Sequence, residues 1–393
     1  MSLNKISSLL TFLFIVGLKG IQSYGQLPDS TTQVSLITVG PGEDLYSSFG
    51  HSLFWFEDPG KGLDASYNYG SFDFDTENFY IKFLSGTLPY KLEKIPLAPQ
   101  FNYWVRKNRS VTQQVLQLTT AQKQKLYSLL EENYKPEKRT YHYRFFYDNC
   151  ATRLQDMLLA ACGSEIKYDG YTHETLSFRE WIDRYAHQQK PWADFGMDLA
   201  IGKPADKLAT PMQATFLPDN LQAAFADAKI TIDGKDQPLV AATYELYTAT
   251  PRPPQGMFTP QTVFWILAVL TALFTWWQMR QNKISFTYDK ILFNLTAIAG
   301  TILLLLWFGT NHEDTKWNWD VLWASPLLFL IAKDLSPRRK NTRISILLIL
   351  YTILLLLGTV NLDKHNQVLI PILLTLVIRI YYINTRLPKI PKS

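Results

Sequence analysis

The sequence predicts two structural units, an exported α+β domain followed by an all-α domain of five transmembrane helices. Three observations support this division. Aromatic and β-branched runs alternate with amphipathic helical patterns up to residue 250. The last third consists of long apolar runs separated by basic residues. The charge balance changes sign as well, since residues 26–257 carry a formal net charge of −5 and residues 258–393 carry +8.

The averaged composition conceals this division. Over all 393 residues the formal net charge is +5, hydrophobic residues make up 47% and the mean hydropathy is −0.07. Because the excess of basic residues belongs to the apolar third, the positive charge gives no indication of nucleic-acid binding. Two cysteines exclude a disulfide-rich scaffold, and an aromatic content of 14% without a short repeat excludes collagen and coiled coil.

Residues 1–25 have the pattern of a secretory signal peptide. Lys5 provides a positive charge, and residues 9–18 form an apolar core that is too short to span a bilayer comfortably. Lys19 interrupts the expected cleavage region, so an uncleaved N-terminal anchor is the alternative interpretation. The domain that follows, residues 26–250, is predicted to lie outside the cytoplasm.

The predicted elements of the exported domain follow from turn signals and from hydrophobic periodicity. The predicted strands are residues 34–39, 49–56, 66–72, 111–118, 141–146 and 239–247. The predicted helices are residues 120–133, 150–161, 177–185 and 192–200. A proline-rich segment at residues 251–257 is the predicted linker into the membrane domain.

The membrane domain, residues 258–393, contains three uncharged runs long enough to cross about 30 Å of hydrocarbon as helices. These are residues 258–279, 291–311 and 344–362. Two shorter uncharged runs, residues 321–332 and 366–378, could on length alone be re-entrant or interfacial. We predict that both of them cross the membrane.

The distribution of basic residues favours five crossings. If the first helix enters the cytoplasm, five crossings place 12 Lys and Arg residues inside, Arg379 among them, and only Lys316 and Lys364 outside. This pattern satisfies the positive-inside rule. Without the crossing at residues 321–332 alone, the basic stretch 337–343 would lie outside.

Cys150 is the sharpest candidate for chemistry, because it follows Asp148 and Asn149 at the predicted start of a helix. The free N–H groups and partial positive charge of a helix N-terminus favour the thiolate, which is the nucleophilic form of cysteine. The same N–H groups could stabilise an oxyanion. The alternative is an inert buried cysteine, which is common in apolar surroundings.

A nucleophilic cysteine needs a base, and His51 is the best candidate. It lies on an aromatic strand directly after a glycine that allows close approach. Asn68, on the next predicted strand, is the candidate for orienting the imidazole, and His142 is the runner-up.

Cys162 is interpreted as a structural residue. A disulfide with Cys150 is not expected, because twelve helical positions separate the two by about 18 Å, whereas bridged Cα atoms lie within about 7 Å. The scattered histidines and two cysteines give no recognised zinc spacing, and no glycine-rich phosphate loop is present. We therefore predict neither a metal nor a cofactor.

A polar loop at residues 311–320 is predicted to lie on the same side of the membrane as Cys150. Its density of His, Asn, Asp and Trp is typical either of a solvated turn or of a segment that contacts headgroups or substrate. His312 and Asn318, together with Asn149, are the candidate substrate-binding residues.

Three stretches, residues 41–52, 68–74 and 147–156, resemble the periplasmic domain of the bacterial lipoprotein N-acyltransferases called Lnb. They contain His51, Asn68 and Cys150 respectively. A five-helix membrane region follows this domain in the family, and its outer loop looks like residues 312–326 here, with Asp320 standing where Asn is expected.

The resemblance implies a multi-pass enzyme of the bacterial inner (cytoplasmic) membrane with its catalytic domain in the periplasm. The implied reaction moves an acyl chain from a membrane phospholipid, through a thioester on Cys150, to the α-amine of a diacylglyceryl-cysteine on an apolipoprotein. The order of His51 before Cys150 also resembles circularly permuted papain-like folds such as the lecithin:retinol acyltransferase group. NlpC-type peptidases have the cysteine first.

Two other functions are compatible with the same residues. A membrane-tethered cysteine amidase or peptidase acting on the cell wall needs the same Cys-His pair but a different acceptor. A non-catalytic membrane assembly protein would use Cys150 only as a structural residue.

Overall fold

The computed structural model describes residues 27–186, 190–251, 257–282, 285–336, 342–360 and 364–386. The predicted signal segment at residues 1–25, most of the predicted linker, and the basic stretch at residues 337–341 lie outside the described residues.

An antiparallel sheet of seven strands forms the centre of the N-terminal domain, in the order β10-β5-β1-β2-β3-β4-β6. A smaller sheet has the order β7-β8-β9. The strands are β1 (Gln33–Val39), β2 (His51–Asp58), β3 (Leu63–Ser71), β4 (Pro89–Ile95), β5 (Val111–Leu116), β6 (Thr140–His142), β7 (Ile166–Lys167), β8 (Lys229–Ile232), β9 (Lys235–Pro238) and β10 (Val240–Tyr247).

Helices surround the sheet and then form the membrane domain. The helices of the first domain are α1 (Phe79–Ser85), α2 (Leu97–Arg106), α3 (Thr120–Tyr134), α4 (Cys150–Cys162), α5 (Phe178–Ala186), α6 (Pro191–Ala200), α7 (Pro211–Ala214) and α8 (Pro218–Asp227). Those of the second domain are α9 (Pro260–Arg280), α10 (Thr287–Gly309), α11 (Leu328–Asp334), α12 (Thr342–Val360) and α13 (Lys364–Arg386).

The main core of the first domain holds α4 against the sheet. Phe54 and Tyr67 from β2 and β3 are fully buried together with Leu154 and Leu158 of α4. Burying one such side chain stabilises the fold by about 1.5–3 kcal/mol. The same core includes residues of α3 and α8, so the position of α4 is fixed from several sides.

Most predicted strands and helices of this domain are confirmed, with small differences at their ends. The strand predicted at residues 141–146 is wrong in length, since β6 ends at His142 and a turn follows, closed by Asp148 N–H donating to the Arg144 carbonyl at 2.8 Å. Phe145 and Phe146 pack instead in a separate aromatic cluster with Phe216. Eight elements were not predicted, namely α1, β4, α2, β7, α7, α8, β8 and β9.

Among the described residues of the membrane domain, three helices are long and apolar enough to cross a membrane, namely Pro260–Arg280, Thr287–Gly309 and Gln367–Arg386. In α12, a shorter apolar stretch, Arg343–Leu357, lies within the described residues. The weak run predicted at residues 366–378 is therefore part of a helix of 23 residues.

Arg379, counted among the basic residues of the cytoplasmic segments, does not lie in a segment that flanks a helix. Arg379 lies inside α13, is fully buried, and forms a two-pronged ion pair with Asp289 of α10 at 2.6 and 2.8 Å. Its remaining nitrogen donates to Thr275 and Gln278 of α9. A charge among apolar helices is stable only when it is paired and hydrogen-bonded, and this one joins three helices.

The segment predicted to cross at residues 321–332 is not one continuous helix. Its helix, α11, has 7 residues and rises only about 10 Å. The residues before it pack against α10, where an added Cβ on Gly300 would lie 1.3 Å from the Ala324 carbonyl oxygen. The Tyr351 hydroxyl donates to the Trp323 carbonyl at 2.6 Å. Non-helical backbone is tolerated at membrane depth where protein groups satisfy it in this way.

Gly300→Ala should destabilise the membrane domain, because its methyl group overlaps the Ala324 carbonyl and forces the two segments apart. Overpacking of this kind typically costs about 1–3 kcal/mol. The measurement is the thermal unfolding midpoint in detergent. Gly309→Ala, in the same helix, is the matched control, because its added Cβ meets no described atom within 4 Å. Equal midpoints for the two variants would contradict this packing.

Candidate active site

The N-terminus of α4 is fixed by Asn149. Its side-chain oxygen accepts hydrogen bonds from the backbone N–H groups of Ala151 and Thr152 at 2.8 and 2.9 Å. Its amide nitrogen donates to the carbonyls of Phe145 and Phe216, both at 2.8 Å. The side chain is thereby fully engaged within the protein, so its geometry is that of a helix cap and a tie between loops, in contrast to the substrate contact expected from the sequence.

Cys150 is the first residue of α4 and is only 7% exposed. The backbone N–H groups of Ser52, Ala151 and Cys150 itself point at the sulfur and lower its pKa. Burial acts in the opposite direction and is the larger effect, so the pKa of the Cys150 thiol is raised above its ordinary value. The resting cysteine is therefore a neutral thiol.

The Ser52 N–H that points at the sulfur belongs to the residue directly after His51, so the sulfur lies near the backbone of the predicted base. The backbone requires a glycine at the position directly before the histidine. Gly50 has a φ of 81°, and a Cβ there would lie 2.8 Å from the Val39 carbonyl oxygen. A side chain at this position would displace β2 from β1 and move the imidazole.

The His51 side chain is half-buried, and the loss of solvent around its ring is the main reason why its pKa falls to about 4. The positive charge of Arg109 lowers it further, whereas the hydrogen bond to Asn68 raises it. The imidazole is therefore neutral at physiological pH. A neutral imidazole next to a neutral thiol can act as a general base for that thiol.

A chain of hydrogen bonds determines which ring nitrogen of His51 carries the proton. Gln100 Nε2 donates to the Pro96 carbonyl at 3.1 Å and to Ser66 Oγ at 2.6 Å, so the Gln100 oxygen faces Asn68. Asn68 Nδ2 donates to that oxygen at 3.0 Å. Asn68 Oδ1 therefore faces His51 Nε2 at 2.6 Å and accepts a hydrogen bond from it, so Nε2 carries the proton. Nδ1 is left as the unprotonated nitrogen.

Sequence reasoning selected Asn68 as the orienting residue and missed Gln100 and Arg109. The runner-up, His142, has an exposed side chain on β6, where it is paired with Pro89. Gln100 lies in α2, which was not predicted, and it meets Asn68 only through the pairing of β3 with β4. No local motif marks it.

Both cysteines of the chain are free, which confirms the prediction that they form no disulfide. They occupy opposite ends of α4. Burial raises the pKa of Cys162 to about 12, as expected of an inert thiol.

The outer loop docks onto the first domain through both of its predicted substrate-binding residues. His312 Nε2 lies 3.1 Å from the Phe83 carbonyl at the end of α1. Asn318 is 2% exposed and donates to the Leu199 carbonyl at 2.7 Å, near the end of α6. The Leu199 carbonyl lies in the last turn of α6, where a helix leaves carbonyls without an internal partner. The two contacts together tie the loop to the domain that carries Cys150.

One group of three acidic side chains, Asp183, Asp194 and Asp198, could hold a cation in the part of the chain that the structure describes. Their carboxylate oxygens lie within 4.8 Å of one another, and all three are buried. Asp198 is paired with Arg179 at 3.0 Å, which already offsets part of the negative charge. The group lies on α5 and α6, whereas His51 and Cys150 lie on β2 and α4.

The fold and the site together define a thiol–imidazole–amide centre, carried by an α/β domain that is docked onto membrane helices. Comparison with known families gives the class more closely. A family model described as "Lnb N-terminal periplasmic domain" matches residues 23–183, and one described as "Lnb transmembrane domain" matches residues 253–389. The chain thus belongs to the Lnb family of lipoprotein N-acyltransferases. No curated protein and no solved structure matches it.

The raised pKa of Cys150 predicts weak reactivity towards iodoacetamide at neutral pH. The alkylation rate should increase with pH beyond about 8.5, the pKa of an ordinary cysteine, without a plateau in the acidic and neutral range. Mass spectrometry of the Cys162→Ser variant would follow the modification of Cys150 alone. A rate that is high and constant between about pH 5 and 8 would indicate a preformed thiolate and contradict the neutral pair.

Proposed function

We propose that this protein transfers an acyl chain from a membrane phospholipid, through a thioester on Cys150, to the α-amine of a diacylglyceryl-cysteine at the N-terminus of a lipoprotein. The observation that carries the proposal is the hydrogen-bond chain from Pro96 to His51, which leaves His51 Nδ1 free to act as a base. The next residue, Ser52, directs its backbone N–H at the Cys150 sulfur. The family match supports the acyltransferase class.

In the first half-reaction, His51 Nδ1 takes the proton of the Cys150 thiol as the sulfur attacks an ester carbonyl of the phospholipid. The carbonyl oxygen becomes an oxyanion, which N–H groups at the start of α4 can stabilise. The ester C–O bond then breaks, and the lyso-phospholipid leaves with the proton from His51. Since the pKa of His51 is about 4, the base stays available well below neutral pH.

In the second half-reaction, the neutral α-amine of the lipoprotein attacks the thioester carbonyl. The C–S bond breaks, the amine gives up a proton to His51, and Cys150 is returned as a thiol. The sum converts a phospholipid and an amine into a lyso-phospholipid and an amide, with no net redox change and no need for a cofactor. Asn68 holds the ring throughout and is the third member of the proposed catalytic set.

The proposed topology keeps the boundaries expected from the sequence. Residues 1–25 act as the signal peptide, residues 26–250 form the periplasmic acyltransferase domain, residues 251–257 are the linker and residues 258–393 cross the inner membrane five times. The third crossing is the interrupted segment that ends in α11, supported by its packing against Gly300 and by the bond from Tyr351. This arrangement keeps the basic stretch at residues 337–343 in the cytoplasm.

The proposed fold of the periplasmic domain is a circularly permuted papain-like fold. In support of this, the histidine strand β2 precedes the cysteine helix α4 in the chain, and α4 packs its N-terminus against β2 and β3. For the outer loop, the bonds made by His312 and Asn318 support a docking role near the substrates in place of direct substrate binding.

The proposal is tested in a bacterial strain that lacks its own lipoprotein N-acylation enzyme. Expression of the protein should add one acyl mass to lipoprotein N-termini, as read by mass spectrometry. Cys150→Ala and His51→Ala should each abolish that mass, whereas Cys162→Ala, at the other end of the same helix, should preserve it.

The other outcomes identify the two rival functions. Unmodified lipoproteins together with released peptidoglycan fragments would indicate a cell-wall amidase or peptidase. An acyl group on Cys150 that hydroxylamine removes would exclude a purely structural cysteine. Unmodified N-termini in cells that contain folded wild-type protein would sink the acyltransferase proposal.

Gln100→Leu should slow thioester formation by about ten- to a hundredfold, because the Asn68 amide is then free to turn and place a donor against His51 Nε2. The loss should fall on kcat and leave KM nearly unchanged, since no substrate contact is removed. Gln100→Glu, which keeps an acceptor oxygen towards Asn68, should retain more activity. Equal activities of the Leu and Glu variants would count against the proton-placing role.

A further inference from the structure

Helix α1 exposes an apolar face that none of the described residues covers. Tyr80, Ile81 and Leu84 are 76%, 67% and 60% exposed, and Phe74 in the preceding turn is 61% exposed. Single exposed apolar residues are common, but a contiguous group of this size indicates a surface that contacts another apolar phase or partner.

The contacts of α1 with the membrane domain indicate that this apolar phase is the lipid bilayer. The backbone N–H of Asn311 donates to the Ser85 carbonyl at 2.9 Å, and His312 lies against the Phe83 carbonyl. These two residues directly follow α10, which ends at Gly309 and whose 23 residues rise about 35 Å, enough to cross about 30 Å of hydrocarbon. The end of α1 therefore lies at the level where a membrane helix leaves the bilayer.

Aromatic residues of the membrane domain mark the same level. Trp307 stacks on Phe308 and meets Trp317 of the outer loop at 5.5 Å. Phe308 and Trp317 are 74% and 57% exposed. Such aromatic belts lie at the boundary between hydrocarbon and headgroups, so the bilayer surface reaches α1.

A row of aromatic rings leads from α1 to the nucleophile. The ring centroids are 6.2 Å apart for Phe83 and Phe79, 5.9 Å for Phe79 and Phe72, and 5.5 Å for Phe72 and Tyr90. Tyr90 stacks on Tyr143 at 4.5 Å. Four centroid separations of 4.5–6.2 Å thus link Phe83 to Tyr143, and the length of this row is comparable with that of a long fatty acyl chain.

Gly70 completes the row at its inner end. It has a φ of 89°, and a Cβ built there would lie 3.3 Å from the Tyr143 ring and 3.7 Å from the Cβ of Cys150. A residue without a side chain thus leaves apolar space between the last ring and the cysteine. Any larger residue would occupy that space and be strained in its backbone.

We propose that α1 inserts its exposed face into the outer leaflet of the membrane, and that the aromatic row from Phe83 to Tyr143 takes up the acyl chain of a phospholipid and leads it to Cys150. The role of the row rests on the proposed acyl transfer, whereas the insertion of α1 does not. Burial of Tyr80, Ile81 and Leu84 in lipid provides the apolar partner that the protein lacks there.

The insertion is tested in proteoliposomes without any enzymatic turnover. Ile81→Cys is labelled with an environment-sensitive fluorophore in a Cys150→Ser, Cys162→Ser background, and doxyl-labelled phospholipids serve as quenchers. Leu27→Cys is the matched control, because Leu27 is similarly exposed, at 58%. It lies near the turn of the β2–β3 hairpin, where Asp29 pairs with Lys61, and Gly70 lies at the other end of that hairpin. Strong quenching at position 81 and weak quenching at position 27 is the expected result.

The aromatic row is tested with a phospholipid that carries a photoactivatable diazirine on its acyl chain, added to the Cys150→Ala protein. Crosslinks should appear on peptides that contain Phe72, Tyr90 or Tyr143. A double change, Ile81→Asp with Leu84→Asp, should lower the crosslinking of the Cys150→Ala protein about tenfold or more. The same double change in the protein that retains Cys150 should lower acyl transfer by a similar factor. The variant Leu27→Asp should match the wild type in both.

The outcomes separate this proposal from the proposed function. Equal quenching at positions 81 and 27 would overturn the insertion of α1, whatever the enzyme does. Crosslinks confined to α9–α13 would overturn the acyl-chain route. Quenching and crosslinks as expected, without acylated lipoproteins, would support the lipid-binding surface while the acyltransferase reaction fails.

Discussion

The start of α4 is the constraint on which the site depends. The side-chain oxygen of Asn149 accepts hydrogen bonds from the first N–H groups of the helix. Its amide nitrogen donates to the Phe145 carbonyl in the preceding turn and to the Phe216 carbonyl in another loop. The leucines of α4 are meanwhile buried against β2 and β3, which carry His51 and Asn68. The nucleophile, the base and the orienting amide therefore share one packed unit. None of them can shift without disturbing a core that each buried side chain stabilises by about 1.5–3 kcal/mol.

Burial decides how the two reacting groups are charged. In the same buried surroundings the pKa of His51 is lowered and that of Cys150 is raised, because both shifts favour the neutral form. Nearby N–H groups and Arg109 oppose burial at the sulfur but do not overcome it. A neutral pair is well matched to a membrane enzyme. A standing thiolate would react with other electrophiles and would be poorly solvated beside an acyl chain.

The sequence revealed the parts of the site that are encoded locally and not the parts that arise from strand pairing. Cys150 follows a helix-capping residue, and Gly50 marks a close backbone approach, so both leave a signal in the chain. Gln100 reaches Asn68 only because α2 follows β4, and β4 was not recognised between its polar neighbours.

The membrane domain shows the same limit. Hydropathy identified the long apolar runs, but Arg379 was counted as a basic residue of a cytoplasmic segment, whereas it is buried inside a helix. The partner Asp289 is 90 positions away, and no local pattern links the two residues. The short uncharged run at residues 321–332 indicated an irregular crossing, but its composition did not locate the interruption before α11, because non-helical backbone and short helices can be equally apolar.

The interrupted segment has a consequence for biosynthesis. As the chain leaves the ribosome, α10 is apolar and long enough to partition into lipid on its own. Residues 323–334 are not, because α11 is short and the Trp323 carbonyl finds its donor only on Tyr351, one helix later in the chain. In the proposed five-crossing topology, insertion of this segment therefore waits for α12. The orientation of the outer loop, and with it the docking of the domain that carries Cys150, is then settled only when the last helices have been made.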